Sequence, residues 1–164
     1  MKQIFLSIQE RIADLVPGVR YIDKNWGQLN IPQPPVQWPC CLIDLANIDY
    51  SQTSSRDRLA TATINITVAD QHTVRSSAKA PSISNAYDIL DVLEAIMEAL
   101  EGWRVPDTTQ ALTRSNLAKT YSDKSYDVYT LTFTTAWVEQ VTEEGQTVTA
   151  SPSINVSLKL PSEE

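Results

Sequence analysis

Four glycines, two cysteines, one histidine and 13 basic residues against 20 acidic ones are all that this 164-residue chain holds of those types, and each scarcity removes a class of function. With so few glycines and no βαβ phosphate turn, neither a G-x-G-x-x-G dinucleotide fingerprint nor a P-loop can be formed. The cysteines, Cys40 and Cys41, are adjacent and cannot close a loop that constrains the unfolded chain, so they read as buried, reduced thiols in a strand. The single His72 lies in a polar loop beside Asp70 and Arg75, away from any Ser or Cys motif that would make it a general base, and reads as a solvated loop residue. A net charge of −7 opposes a sequence-independent grip on phosphate backbones. No apolar run approaches the roughly 20 residues that span a bilayer, so no membrane partner is expected. Near the start, Gln9, Glu10 and Arg11 interrupt any signal-peptide core, so an unexported chain is expected and the triplets Asn65–Thr67 and Asn155–Ser157 read as chance glycosylation matches.

Catalysis finds no positive support in what remains. Asp44, Asp49 and Asp70 are of the type that binds hard cations but lack the spacing of a ligand loop, and no carboxylate pair stands out for glycoside hydrolysis. The expectation is a protein that is not an enzyme, with no cofactor and no metal.

What is present is amphipathic pattern. Ile4, Phe5, Ile8, Ile12, Leu15 and Val16 recur at helical spacing over residues 2–16, and Pro17 and Gly18 supply a stop. A short strand is expected over 19–23, followed by an irregular loop with four of the nine prolines and with Trp26 and Trp38 at its flanks. Residues 40–52, CCLIDLANIDYSQ, begin apolar and end polar; residues 58–70 mirror them, with Ala60, Ala62, Ile64, Ile66 and Val68 on one face and Leu59, Thr61, Thr63, Asn65 and Thr67 on the other. Each predicted strand is about thirteen residues, roughly 40 Å, against a usual five or six residues. The stretch 71–82 reads as a surface loop.

A second helix follows in SISNAYDILDVLEAIMEALEGW, with Ser84 or Asn85 as N-cap, Asp88 at the positive end of the dipole and Gly102 as terminator. Its stripe is read as Ala86, Leu90, Leu93, Met97 and Leu100, widened by Ile89 and Ile96. Residues 111–122 are a weak strand candidate. Residues 126–138 are a clear one, with Tyr129, Leu131, Phe133 and Trp137 on one face and Val128, Thr130, Thr132 and Thr134 on the other. After a polar excursion, Ile154, Val156, Leu158 and Leu160 alternate as a further edge strand. The order gives a single α+β domain over 1–164, with its main part over 2–138. Its mostly antiparallel sheet of four to five strands, including a long β-hairpin, packs against two α-helices. Trp103 and Trp137 are expected in the core; Trp26 and Trp38 anchor the proline-rich loop or offer an aromatic interface.

The helix ending DLVPGV, the proline-rich stretch, CCLIDL running into DYSQTSSRDRLATATINITVA, the helix AYDILDVLEAIMEALEGW and the strand ending YTLTFTTAWV together resemble bacteriophage tail terminator, or head-tail joining, proteins. The likeness covers residues 2–138 and is one of element order; the proline-rich insertion around 31–39 and residues 139–164 depart from it. It implies a virion protein, assembled in the host cytoplasm, that self-associates into a hexameric ring. The ring would cap the tail tube protein and receive the head connector, while DNA passes through its lumen without specific binding. Six copies of so acidic a chain would make a lumen along which DNA slides without adhering.

A ring of head-to-tail contacts needs a projecting element and a surface to receive it, and a long hairpin without partners in its own monomer would serve. Asp49, Tyr50, Gln52, Arg56 and Arg58 are therefore the expected contact residues on the hairpin, the two arginines for ion pairs, with Trp26 and Trp38 as a second candidate surface; the alternative for the hairpin is a twisted, solvated one, which Thr, Ser and Gln also tolerate. The alternative from another class is a cytoplasmic ligand-binding or regulatory α+β module with a pocket between Trp26 and Trp38.

Overall fold

A computed structural model describes residues 1–54, 57–71, 76–81, 83–120 and 125–140 of the chain. Arg56, His72 and the expected strand over 154–160 lie outside the described residues.

The first amphipathic segment forms helix α1, Lys2–Leu15, which buries Ile4, Ser7, Ile8 and Ile12 along one face. Leu15, expected in that stripe, is 52% exposed at the C-terminal end of the helix, while Val16 just past it is buried. Strands β1 (Tyr21–Lys24), β2 (Cys40–Gln52), β3 (Asp57–Gln71), β4 (Thr113–Thr120) and β5 (Tyr126–Gln140) make one five-stranded sheet in the order β1-β2-β3-β5-β4. Only β1–β2 is parallel; the other three pairings are antiparallel. The fold is α+β, with a mixed, mostly antiparallel sheet and two helices.

The alternation read along 58–70 is the alternation of burial. Ala60, Ala62, Ile64, Ile66 and Val68 are all at most 2% exposed and face the helices, while Thr61, Thr63, Asn65 and Thr67 stand on the open side of the sheet. Leu131, Phe133 and Trp137 of β5 join the same core, together with Ile43 of β2. At ~25 cal/mol per Å2, each such large side chain contributes about 1.5–3 kcal/mol on burial, so this one face supplies most of the drive to fold.

Helix α2 spans Asp88–Leu100 and differs from its sequence reading at both its start and its stripe. Ser84 and Asn85 do not cap it: they lie in a 3-10 turn, Ser84–Tyr87, and the helix proper starts after Tyr87 with no side-chain cap. Asp88 and Asp91 occupy the first turn and meet the positive dipole end instead. The buried stripe is Ile89, Leu93, Ile96, Ala99 and Leu100; Leu90 is 39% exposed and Met97 only half-buried. A segment apolar on more than half its circumference has no unique inward face, and packing beside α1 chose the Ile89–Ile96 side. Gly102 ends the run as expected, with φ +72 where a side chain would be strained, and its N–H donates to the carbonyl of Leu112 at 2.9 Å.

The hairpin is not the partnerless projection that its composition suggests. Strand β5 pairs with β3 along its whole length, from Asp57 opposite Gln140 to Gln71 opposite Tyr126, so the outer half is a three-stranded arm of β2, β3 and β5. Spacing within β3 says nothing of which distant segment lies beside it, so the third strand is not legible from the hairpin's own sequence. The turn itself needs no glycine, since the N–H groups of Thr53 and Ser54 both donate to the carbonyl of Asp57, at 3.0 and 3.2 Å, and Ser54 Oγ bonds the Asp57 carboxylate at 3.0 Å.

A second, smaller cluster lies on the opposite face at the inner end of the sheet. Cys40, Leu42, Ala69 and Val128 are buried there beneath Leu29, Val36 and Trp38 of the proline-rich loop. Both faces of this end of β2 are thus covered, which explains why CCLI is a continuous apolar run.

Candidate functional site

The residues singled out from sequence separate into two places. Asp49, Tyr50, Gln52 and Arg58 are exposed on the arm, with Tyr50 50% exposed, while Trp38 sits at the inner end of the sheet about 30 Å away along β2. Arg58 stands in register between Gln52 and Glu139. No single site unites the two groups.

Trp38 is an internal anchor. Its ring lies 5.1 Å from that of Tyr126, the Tyr126 hydroxyl donates to the carbonyl of Leu29, and the Trp38–Pro39 peptide is cis. Trp26 is 50% exposed beside Gly27, whose φ of +91 turns the chain sharply. The residue that organises this loop is Gln28, which composition gave no reason to single out. Fully buried, it accepts from the Trp26 N–H and donates to the carbonyl of Lys24, both at 2.9 Å.

An open groove of about 650 Å3 runs beside this loop, between Arg20, Gln37, Trp38, Asp70, Gln71 and Asp88; Trp38 is among its walls and Trp26 is not. Asp70 is held above the usual carboxylate range, first by burial and then by the charges of Asp88 and Asp127, with Arg20 and the Gln71 N–H acting against the shift. Cys40 beside it is pushed up to about 12 by burial, and Cys41, in the main core, is pushed up as well, so both thiols are protonated and inert at neutral pH. Among the described residues, no group of three or more His, Cys, Asp or Glu side chains is placed to hold a metal ion, and no helix is long and apolar enough to cross a membrane.

The extended surfaces are the outstanding feature. The open face of the sheet is a field of hydroxyl and amide side chains: Thr61, Thr63 and Asn65 on β3 beside Thr130, Thr132 and Thr134 on β5, with Thr132 Oγ1 bonding Asn65 Oδ1 at 3.0 Å. Its acids, Asp44 and Asp49, stand on β2. The other feature is the edges. All eight residues of β4 are exposed, and among the described residues β1 pairs with β2 only over Cys40–Ile43, so Asp44–Gln52 has β3 on one side and no strand along its outer edge.

This arrangement has a counterpart among solved structures. The fold is similar to that of a chain in the virion of a native gene transfer agent particle, with a TM-score of 0.54. The alignment covers 84% of this chain and 96% of that one at 12% identity, so the likeness is one of fold. No protein-family model and no curated protein matches the sequence.

Proposed function

We propose that this protein is a structural component of a phage-like virion, and that within it the chain acts as a tail terminator: a hexameric ring that caps the tail tube, stops its growth and presents the surface that the head connector binds. The observation that carries this reading is the extent of the fold likeness, which takes in nearly all of a chain from a virion. The element order that resembles tail terminators over residues 2–138 agrees with it. The surfaces agree as well, being built for contact over area: a long arm, two strand edges that no described strand pairs and an acidic, hydroxyl-rich sheet face past which DNA would move without adhering. On this reading the protein is not an enzyme and takes no cofactor.

The test is tube growth. Purified protein added to polymerising tail tubes from its own particle should stop elongation and narrow the length distribution seen by electron microscopy. Tubes that lengthen unchanged in its presence would sink the terminator role.

A further inference from the structure

We infer that copies of this chain join edge to edge along the strand edges left unpaired among the described residues, Asn47–Ser51 of β2 in one copy pairing antiparallel with Asn116–Thr120 of β4 in the next, with Tyr50 opposite Leu117. The inference rests on the ring reading above and names the surface that would close it.

Six observations carry it. The two edges, Asp44–Gln52 and Thr113–Thr120, are of near-equal length, nine and eight residues, and lie on opposite sides of one sheet, so the contact they make is head-to-tail and propagates from copy to copy. Alternation along the sheet runs β2 up, β3 down, β5 up and β4 down, so rotating one copy onto the next brings β4 against β2 in the antiparallel sense.

The side chains then match by face. Leu117 pairs with Leu131 and Tyr50 with Ala60, both of which belong to the helix-covered side. Leu117 and Tyr50 are 46% and 50% exposed, and they are the large apolar residues that the two edges leave to water. Set opposite each other they cover one another, as cross-strand aromatic–aliphatic pairs do.

Charge is complementary too. The β2 edge holds Asp44 and Asp49 and no base, whereas β4 holds Arg114 and Lys119 and no acid. These charges point to opposite sides of the sheet, and Arg114 and Lys119 already lie near Glu101 and Asp127, so they steer the approach rather than pair across it.

Of the devices that blunt natural sheet edges, proline and unpaired lysine are missing from both segments, since Lys119 is bonded to Asp127 at 2.7 Å, while the bulges at Leu45/Asn47 and Arg114/Asn116 bound the regular stretch left for pairing. The edges are also offset. Through the register, β4 lies level with Cys40–Asn47, whereas the free part of β2 begins at Asp44, so each join steps along the strand direction as strands must when a sheet closes on itself.

The experiment is disulfide trapping in the full-length chain, both in concentrated solution and on isolated tail tubes. Directly opposed antiparallel residues bring Cβ atoms to ~4.5–5.5 Å, within reach of a disulfide after slight adjustment, and the native thiols are buried. The Tyr50→Cys, Leu117→Cys double variant should give, on mild oxidation, a ladder of covalent species ending at the closed ring. The two single variants should form a heterodimer only when mixed. Hydrogen exchange of wild-type protein should slow at least tenfold over 113–120 on assembly. An oligomer, measured by native mass spectrometry, that neither cross-links nor gains this protection overturns the edge pairing and leaves the ring reading standing. A chain that stays monomeric in solution and on tubes overturns both. Cross-linking that appears only after removal of residues 141–164 overturns the pairing for the intact protein, because the chain's own C-terminal segment then occupies the edge.

Discussion

Asp70 shows how one side chain at the end of a strand records its surroundings. Half-hidden between the proline-rich loop and α2, it loses water, and this raises its carboxyl above the unfolded value. The folded state therefore holds the proton more tightly than the unfolded one. The cost of keeping Asp70 ionised is absent below the unfolded pKa of ~3.9 and complete above the folded value, so this residue's contribution to stability falls as pH rises through that window. Asp70→Asn should consequently raise Tm near neutral pH, with the gain vanishing below about pH 4, because Asn retains the oxygen that accepts from the Gln71 N–H. Calorimetry across that range checks it, and a gain of equal size at every pH would assign the effect to something other than ionisation.

Between α1 and α2, packing chooses among faces that the sequence leaves nearly equivalent. Arg11 of α1 donates through Nε to the carbonyl of Ala99 and lays its guanidinium 4.6 Å over the Trp103 ring, so one cation caps the C-terminal end of α2 and fixes how the helices meet. That junction turns Ile89, Leu93 and Ile96 inward and leaves Leu90 at the surface. Leu93→Ala should cost about 2–5 kcal/mol, and Leu90→Ala about 0.5 kcal/mol. Urea unfolding of both variants measures the difference. Equal losses would mean that α2 is rotated from this orientation. Trp103 itself was legible as a packing residue from its place just past a helix, but its cation partner lies 92 positions upstream and carries no local signal.

For the molecule as a whole, the sheet is unevenly protected. Strand β3 is bonded on both sides for most of its length, whereas β4 is an edge exposed at every residue and β1 has four residues. Local opening follows this gradient, because exchange at an edge requires few contacts to break, while exchange in the central strand requires global unfolding. In dilute protein, amides of Thr63–Val68 should therefore exchange slowest and those facing outward from β4 fastest, as read by mass spectrometry or NMR. Comparable protection over β4 and β3 would mean that a partner strand already covers the edge. This gradient is also why the edges left unpaired among the described residues are the places where the sheet has bonding left to offer.

The sequence by itself determined the elements and their inward faces wherever periodicity was unambiguous. The split of Ala60–Val68 from Thr61–Thr67, the core side of β5, the stop at Gly102 and the absence of a phosphate-binding turn all follow from local spacing, since a strand or helix pattern is written in neighbouring residues. Only the tertiary structure decided what depends on residues far apart. It placed β5 along the full length of β3 and the proline-rich loop over Cys40 and Leu42, it chose the buried side of an α2 that is apolar most of the way round, and among the described residues it left one edge at Asp44–Gln52 and another at β4. Pairing across a sheet is a long-range choice between strands of similar composition, made by the sum of core contacts, so the hairpin's polarity revealed that it projects but not that it projects as part of a three-stranded arm.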